Sequence, residues 1–238
     1  MAAKSVQTAS ALPAGAATRA TRPAGRVMRS RLLDGASRLF RAHGLSGTSI
    51  SDIAAAANAF PSQITYYFRT KEALFVEAAC RDMLYVARAA EQATQSAHSP
   101  RDYTRALAAS VTATDSVAFF AEALTLTRRR QDLAPLVERT IERLHGEGLR
   151  AYSGQIERRG WNTLRDPDAT SRRFWAVAIG VMVEGYAMGR SPDELCREML
   201  RVLGEQATEK PAGDNTRLRL VGDPDPVVSN SPEGETLS

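Results

Sequence analysis

The chain has 238 residues, of which 43% are hydrophobic and 24% are charged, and this composition is typical of a soluble globular protein with a hydrophobic core. No uninterrupted apolar run approaches the roughly 18 residues that a membrane-spanning helix needs, and Cys80 and Cys196 lie too far apart to suggest a disulfide framework or a cysteine-based zinc site. The formal net charge is +4, but residues 1–71 carry +8 and the remainder −4, which favours contact of the N-terminal part with a polyanion such as DNA.

The first 25 residues are small and polar, are interrupted by Pro and Gly, and lack the compact apolar block of a secretory signal. We therefore predict a flexible arm over residues 1–25. From Val27 to His43, apolar residues recur every three or four positions with arginines between them, which indicates an amphipathic helix. Gly44 offers the left-handed conformation that ends a helix, so this first helix is predicted to stop there.

A short second helix is predicted next. Thr48 or Ser49 can cap its first turn, and Asp52 follows Ser49 at the spacing of a capping box. Ile50 and the following apolar residues form its inner face, and this pattern ends near Ala57. The helix is therefore only about two turns long.

A tight turn then leads into a third helix. Asn58 is one of the few residues besides glycine that tolerate a positive φ, and Pro61 suits the first turn of a helix, where no amide partner is needed. We predict a third helix from Pro61 to Phe68. Thr70 is the predicted cap of a much longer fourth helix that continues to about Ala93.

The remainder of the chain also has a helical pattern. Further helices are predicted at residues 101–114, 117–129, 133–159, 167–190 and 192–203. No strand pattern of convincing length appears, so the fold is predicted to be all-α. We assign residues 26–86 to a helix-turn-helix domain, residues 87–205 to a second helical domain, and residues 206–238 to a disordered tail that has too few apolar residues to offset the entropy of ordering.

Two short helices joined by a tight turn, with a packing helix on each side, are typical of a helix-turn-helix, whose second helix enters the major groove of DNA. On the third helix, Ile64 and Phe68 share an inward face. The groups able to contact bases and phosphates lie elsewhere on that helix, at Ser62, Gln63, Thr65, Tyr66 and Tyr67. Of these, Gln63 can pair with adenine through two hydrogen bonds.

The segment LLDGASRLFRAHGLSGTSISDIAAAANAFPSQITYYFRTKEALF, residues 32–75, resembles the N-terminal domain of the TetR family of transcriptional regulators. The resemblance includes Thr-Ser-x-x-Asp-Ile-Ala in the second helix and Tyr-Phe-x-x-Lys-Glu-x-Leu at the exit from the third. It implies that Thr48 and Ser49 contact phosphate at the start of the second helix, and that Lys71 pairs with phosphate from the start of the fourth. It also implies that the five polar residues of the third helix face the groove.

Three positions depart from the usual pattern of the family. Asn58 stands where glycine is typical, Phe60 where a capping serine is typical, and Thr65 where a phosphate-binding tyrosine is typical. Phe60 removes a side-chain cap, and Thr65 has a shorter reach than tyrosine. Neither change removes the fold, but both bear on the individual DNA contacts.

The resemblance further implies that the second domain binds a ligand and forms a homodimer through its last two helices. The segment FWAVAIGVMVEGYAMG is apolar almost all round, which predicts burial against both its own domain and a partner subunit. A two-fold dimer is expected to bind a palindromic operator in double-stranded DNA. The candidate pocket residues for a lipophilic small-molecule effector are the bulky side chains Met83, Phe119, Phe120, His145, Trp175, Met182 and Tyr186.

An enzyme is not expected. The three histidines, His43, His98 and His145, show no metal-ligand spacing, and no nucleophile elbow or phosphate-binding glycine loop is present. We therefore predict no catalytic residue, metal or cofactor. The predicted function is that of a cytoplasmic repressor, without membrane contact, that an effector releases from DNA. The alternative is the same DNA-binding architecture without a small-molecule effector, acting constitutively, under a protein partner, or as an activator.

Overall fold

The computed structural model describes residues 23–163 and 165–204. Over these two ranges the chain forms nine α-helices, two short 3-10 helices and no strand, which confirms the all-α prediction. The α-helices are α1 (Pro23–His43), α2 (Ile50–Ala56), α3 (Pro61–Phe68), α4 (Lys71–Ala93), α5 (Pro100–Thr112), α6 (Ser116–Thr127), α7 (Ala134–Arg159), α8 (Pro167–Ala187) and α9 (Pro192–Leu203). The 3-10 helices are Thr94–Ser96 and Gln131–Leu133.

Helices α1, α2 and α3 form a three-helix unit whose limits are set by local chemistry. Helix α1 ends where Gly44 takes a φ of 68° and donates its N–H to the carbonyl of Phe40 at 2.8 Å. Ile53 of α2 and Ile64 of α3 are fully buried, in the same apolar core as Leu32 of α1. Helix α2 packs on α1 and on α3, so the position of α3 depends on both.

Helix α4 leaves this unit and packs against α1, α3, α5, α6 and α7. Thr70 caps it as predicted, since its Oγ1 accepts the N–H of Ala73 at 3.1 Å. The predicted domain boundary between residues 86 and 87 falls inside this unbroken helix. One apolar core includes residues from α1 through α9, so the helix-turn-helix and the following helices share it.

Helix α8 lies between α7 and α9, with further contacts to α5 and α6. Its inner face buries Phe174, Trp175, Ala178 and Met182. Helix α9 begins and ends as predicted, with a capping box at Ser191 and a left-handed Gly204 at its end.

Most predicted boundaries lie within two residues of the observed ones, and two differ by more. Residues 23–25, predicted to belong to the flexible arm, form the first turn of α1, where proline is tolerated because no amide partner is needed. Helix α8 ends at Ala187 and not near Arg190, because the chain turns at Gly189 with a φ of 66°. The rest of the predicted arm and the tail predicted from residue 206 lie outside the described residues.

No single described helix is long and apolar enough to cross a membrane. Among the described helices, only α5 and α6 taken together, with a bend of 72° between them, have the length and composition of a membrane span.

Candidate nucleic-acid interface

Ser49 fixes the start of α2. Its Oγ accepts the N–H of Asp52 at 3.0 Å, and Asp52 Oδ2 accepts the backbone N–H of Ser49 at 3.0 Å, which completes a capping box. The hydrogen bond from the Ser49 hydroxyl, with that from its backbone, lowers the pKa of the Asp52 carboxyl. Ser49 is exposed at the N-terminus of α2. Its hydroxyl donates its hydrogen to Asp52 Oδ2 at 2.6 Å, so a hydrogen bond from this hydroxyl to a phosphate requires the bond to Asp52 to break.

Thr48, by contrast, is buried, with 2% of its surface exposed. Its Oγ1 donates to the carbonyls of Gly44 at 2.9 Å and Leu39 at 3.2 Å. The hydroxyl is therefore used inside the connection between α1 and α2. The predicted contact of Thr48 with phosphate stays a prediction, and it does not use this hydroxyl, because the hydroxyl is bonded to the two carbonyls inside the protein.

The turn before α3 is tight and well bonded. Asn58 takes a φ of 49°, as its side chain permits, and Ala59 donates its N–H to the carbonyl of Ala54 at 2.9 Å. Phe60 is the N-cap residue of α3 and provides no side-chain cap. Instead Gln63 Oε1 accepts the N–H of Phe60 at 2.9 Å, so that the side chain of Gln63 orders the helix start.

Helix α3 presents a polar outer face. Ile64 and Phe68 are buried as predicted, with 0% and 4% exposure. Of the five predicted DNA-contacting residues, three are exposed and two are half-buried: Ser62, Thr65 and Tyr66 form the first group, Gln63 and Tyr67 the second. Tyr66 is 78% exposed and its ring meets that of Tyr67 edge to face at 5.0 Å. The structure therefore brings all five to the surface of one helix.

Lys71 occupies the first position of α4 and is half-buried. Its Nζ donates to the carbonyl of Leu45 at 2.8 Å and to that of Thr48 at 2.9 Å. An ammonium group has three N–H donors, so these bonds leave one. Lys71 thus joins the start of α4 to the connection between α1 and α2.

A partly open cavity of about 360 Å³ lies between α4, α5, α7, α8 and α9. Its wall is mainly apolar and includes Tyr103, Leu107, Leu144, Tyr152 and Trp175. Tyr103 and Tyr152 were not predicted from the sequence; both are buried, and their rings lie 5.3 Å apart with an angle of 41° between the planes. Burial raises the pKa of the Tyr103 hydroxyl, which keeps it protonated.

Trp175 is the one predicted pocket residue in this wall. The other six lie elsewhere: Met83, Phe119, Phe120 and Met182 are buried in the apolar core, His145 is half-buried, and Tyr186 is 44% exposed. His145 Nδ1 is 3.2 Å from the guanidinium of Arg172. Burial and the charge of Arg172 lower the pKa of His145.

The indole of Trp175 points towards α7. Its Nε1 lies 3.8 Å from the place that a Cβ atom would take at Gly148, which is also a lining residue. Trp175 is only 6% exposed, and within the described part of the chain its indole N–H makes no hydrogen bond. The cavity therefore combines mainly apolar walls with an indole N–H that has no hydrogen-bond partner among the described residues.

The residues that the structure describes contain no group of three or more His, Cys, Asp or Glu side chains that would hold a metal ion.

Two family models match the sequence. The model described as bacterial regulatory proteins, tetR family, matches residues 32–78, and the model described as bacterial transcriptional repressor C-terminal matches residues 100–204. No curated protein matches the chain. The first match covers α2 and α3 and most of α1, and the second runs from α5 to α9.

Solved structures give the same result. A protein from Rhodococcus sp. RHA1, described as a candidate transcriptional regulator, is 34% identical over 75% of this chain and 96% of its own, with a TM-score of 0.67. A TetR-family transcriptional regulator from Pectobacterium atrosepticum shares 16% identity over 77% and 94% of the two chains, with a TM-score of 0.60. The fatty acid degradation regulator FadR from Bacillus halodurans shares 15% identity over 78% and 96%, with a TM-score of 0.58. With a helix-turn-helix whose third helix has a polar outer face, this chain belongs to the TetR family and is a DNA-binding transcriptional regulator.

Proposed function

We propose that this protein is a repressor that binds a palindromic operator as a homodimer and is released by a lipophilic small molecule. The mainly apolar cavity with the free indole N–H of Trp175 is the observation that carries ligand control. The description of the family model matched by residues 100–204 names repressors, which supports the sign of regulation. Because its target is DNA, we expect the protein to act in the cytoplasm.

Helix α3 is the proposed reading helix. Ser62, Thr65 and Tyr66 are exposed on it and supply hydroxyl groups for bases or phosphates. Gln63 has two amide N–H donors and a second lone pair on Oε1. It can therefore form two hydrogen bonds with adenine while Oε1 still accepts the N–H of Phe60. Tyr67, the hydroxyl of Ser49 and the third N–H of Lys71 are proposed to contact the sugar-phosphate backbone.

The proposed dimer interface lies on α8 and α9. Four small or apolar residues spaced three or four apart form an exposed row on α8: Ala176, Gly180, Val183 and Ala187. Val183 is 51% exposed, and nothing lies within 4 Å of a Cβ placed at Gly180. Val202 on α9 is 40% exposed. Such a surface suits the close approach of a second copy.

Two ion pairs connect the segments that flank α6 to α1 and to α4, and α4 also lines the cavity. Arg41, near the end of α1, pairs with Asp115, directly before α6. Arg130, in the connection after α6, lies 3.5 Å from Glu72 at the start of α4. We propose that ligand binding favours an arrangement of α4 and α6 in which the two reading helices of the dimer no longer fit the operator.

A variant that fills the cavity tests ligand control. A panel of lipophilic compounds is screened by thermal shift, and each compound that raises Tm is tested for release of labelled operator DNA. Linkage requires that the compound weaken DNA binding by the factor by which DNA weakens compound binding. Ala151→Phe, on the cavity wall, should abolish the shift and leave DNA affinity unchanged, because it occupies the space that the compound needs.

Ala89→Phe is the matched control, since Ala89 is exposed on α4 and does not line the cavity. It should leave the response to compounds intact. A compound that stabilises Ala151→Phe as strongly as the unaltered protein would show that it binds elsewhere. If no compound changes Tm or DNA affinity, the regulator without a small-molecule effector is the better account.

A further inference from the structure

Phe60 is exceptional among the phenylalanines of this protein. All seven lie in the described part of the chain, and six of them are no more than 6% exposed, whereas Phe60 is 76% exposed. A single exposed apolar residue is ordinary on a protein surface. This one, however, stands at the N-cap of α3, the helix proposed to read DNA.

The backbone of Phe60 is held in one conformation. Its N–H donates to Gln63 Oε1 at 2.9 Å, and its carbonyl accepts the N–H of Gln63 at 2.9 Å. Pro61 restricts the preceding residue to the extended region, where Phe60 lies with a φ of −96° and a ψ of 146°. The ring is therefore presented by a rigid backbone and has only two side-chain torsions to lose on binding.

Gln63 supplies the half of a capping box that needs no N-cap side chain, because its Oε1 accepts the backbone N–H of Phe60. A serine at the N-cap would accept an amide hydrogen bond with its own hydroxyl, and Phe60 has no such group. The oxygen of Gln63 orders the same turn from the opposite direction. The position of Phe60 is thus released from capping and is available for contact with a ligand.

The chemistry of the ring restricts what it can contact on DNA. Phenylalanine offers no charge and no strong hydrogen bond to a phosphate. In the major groove the C5-methyl of thymine is the apolar group on a base edge, and phenylalanine is among the side chains that contact it. Residues at the N-terminus of a reading helix are those that reach base edges.

We propose that Phe60 is a specificity-determining residue that packs on a thymine methyl group in each operator half-site. This inference rests on the proposed function, because it requires α3 to lie in the major groove of a specific operator. The neighbouring hydrogen-bonding groups of Ser62 and Gln63 read adjoining base edges, while Phe60 selects for the methyl group itself.

Uracil substitution tests the contact directly. Bound sequences are first selected from random duplex DNA, and each thymine of a half-site is then replaced in turn by uracil, which keeps every base-pairing group and lacks only the methyl. At one thymine the unaltered protein should lose about fourfold in affinity, the value expected for one buried carbon group. Phe60→Ala should bind the thymine and uracil duplexes equally, and Phe60→Leu should keep part of the preference.

Other results would contradict either the proposed operator binding or the assignment of Phe60. If selection enriches no sequence, the proposed function fails before Phe60 is tested. If a sequence is enriched and uracil has no effect at any position, or Phe60→Ala shows the same loss with uracil, the assignment of Phe60 is wrong while operator binding stands. Uniform weakening of all duplexes by Phe60→Ala would place the ring on the sugar-phosphate backbone instead. Because Phe60 is exposed, its variants should retain the Tm of the unaltered protein, which is measured alongside.

Discussion

At the scale of single residues, Lys71 combines two functions that are usually separate. Two of its N–H donors hold the carbonyls of Leu45 and Thr48, and the third is proposed to meet a phosphate. Bonds from a charged donor contribute more to stability than neutral ones. The same side chain therefore shapes the connection between α1 and α2 and contributes positive charge at the DNA surface.

Lys71→Met keeps most of the side-chain stem and removes the donors. We expect the free energy of unfolding, measured with urea, to fall by about 1.5 to 3 kcal/mol, because two bonds from a charged group are lost. The slope of log K against log salt for operator binding should also decrease by about 1, since one phosphate contact disappears. Lys71→Arg, which keeps the charge, should preserve the salt slope. An unchanged unfolding free energy would contradict the structural role, and an unchanged slope would contradict the phosphate contact.

Sequence patterns do not separate Thr48 from Ser49. Both residue types cap helices and both carry a hydroxyl, so either fits the start of α2. The structure distinguishes them because Thr48 Oγ1 turns inward to the carbonyls of Leu39 and Gly44, while Ser49 stays exposed. That choice depends on where the end of α1 lies in space, which the local sequence does not specify.

At the scale of helices, a buried polar network joins α1 to α4. Asp82 is 7% exposed and accepts a hydrogen bond from Ser37 of α1, which is also buried. Arg81 lies 3.4 Å from Asp82 and 2.8 Å from Asp34 of α1. Within the described residues the buried Nε of Arg81 has no hydrogen-bond partner, so the network is not fully satisfied. It still favours one register between the two helices, because a shift would also break the buried hydrogen bond between Ser37 and Asp82.

Removal of the buried carboxylate of Asp82 should therefore lower the free energy of unfolding. Asp82→Ala leaves Ser37 without its acceptor and weakens the pairing of Arg81, and we expect a loss of about 3 kcal/mol in unfolding free energy. Asp34→Ala removes a partner of the same arginine that is 54% exposed, and its cost should stay below about 1 kcal/mol. The free energies of unfolding of the two variants are measured with urea and compared. Equal effects of the two would mean that the network does not fix the position of α1 on α4.

The ends of the helices could be predicted from the local sequence, whereas the cavity could not. Gly44, Pro61 and the Ser191 capping box mark ends or starts that depend on their own few residues, and the structure has them where they were predicted. Tyr103 and Leu107 obey the same helical spacing as core residues. The cavity beside them arises from how α4, α5, α7 and α8 pack together, so no sequence pattern within one helix predicts it.

At the scale of the whole molecule, the exposed row on α8, which includes Val183, is the proposed dimer interface. Val183→Glu places a charge in the centre of this row and should convert the proposed dimer to a monomer, because burying an unpaired carboxylate is strongly unfavourable. Sedimentation equilibrium measures the change, and circular dichroism should show full helicity. Ala89→Glu, at an exposed position on α4, should remain dimeric. A Val183→Glu protein that is still dimeric would place the interface elsewhere.

The two ends of the chain also differ in charge. Residues 1–71 carry a formal charge of +8, and the remainder carries −4. A positive reading unit attracts DNA, and a negative remainder is repelled by it. This distribution favours the orientation in which α3 approaches the groove and the helices after α4 stay away from the duplex.

The central claim is that α3 reads a palindromic operator, and selection of bound sequences from random duplex DNA at one fixed salt concentration tests it most directly. The account predicts enrichment of an inverted repeat whose half-sites lie about one helical turn, roughly 10 base pairs, or more apart. Gln63→Ala should relax the selected base at one position in each half-site. Enrichment of no sequence, or of a site without two-fold symmetry, would contradict the account.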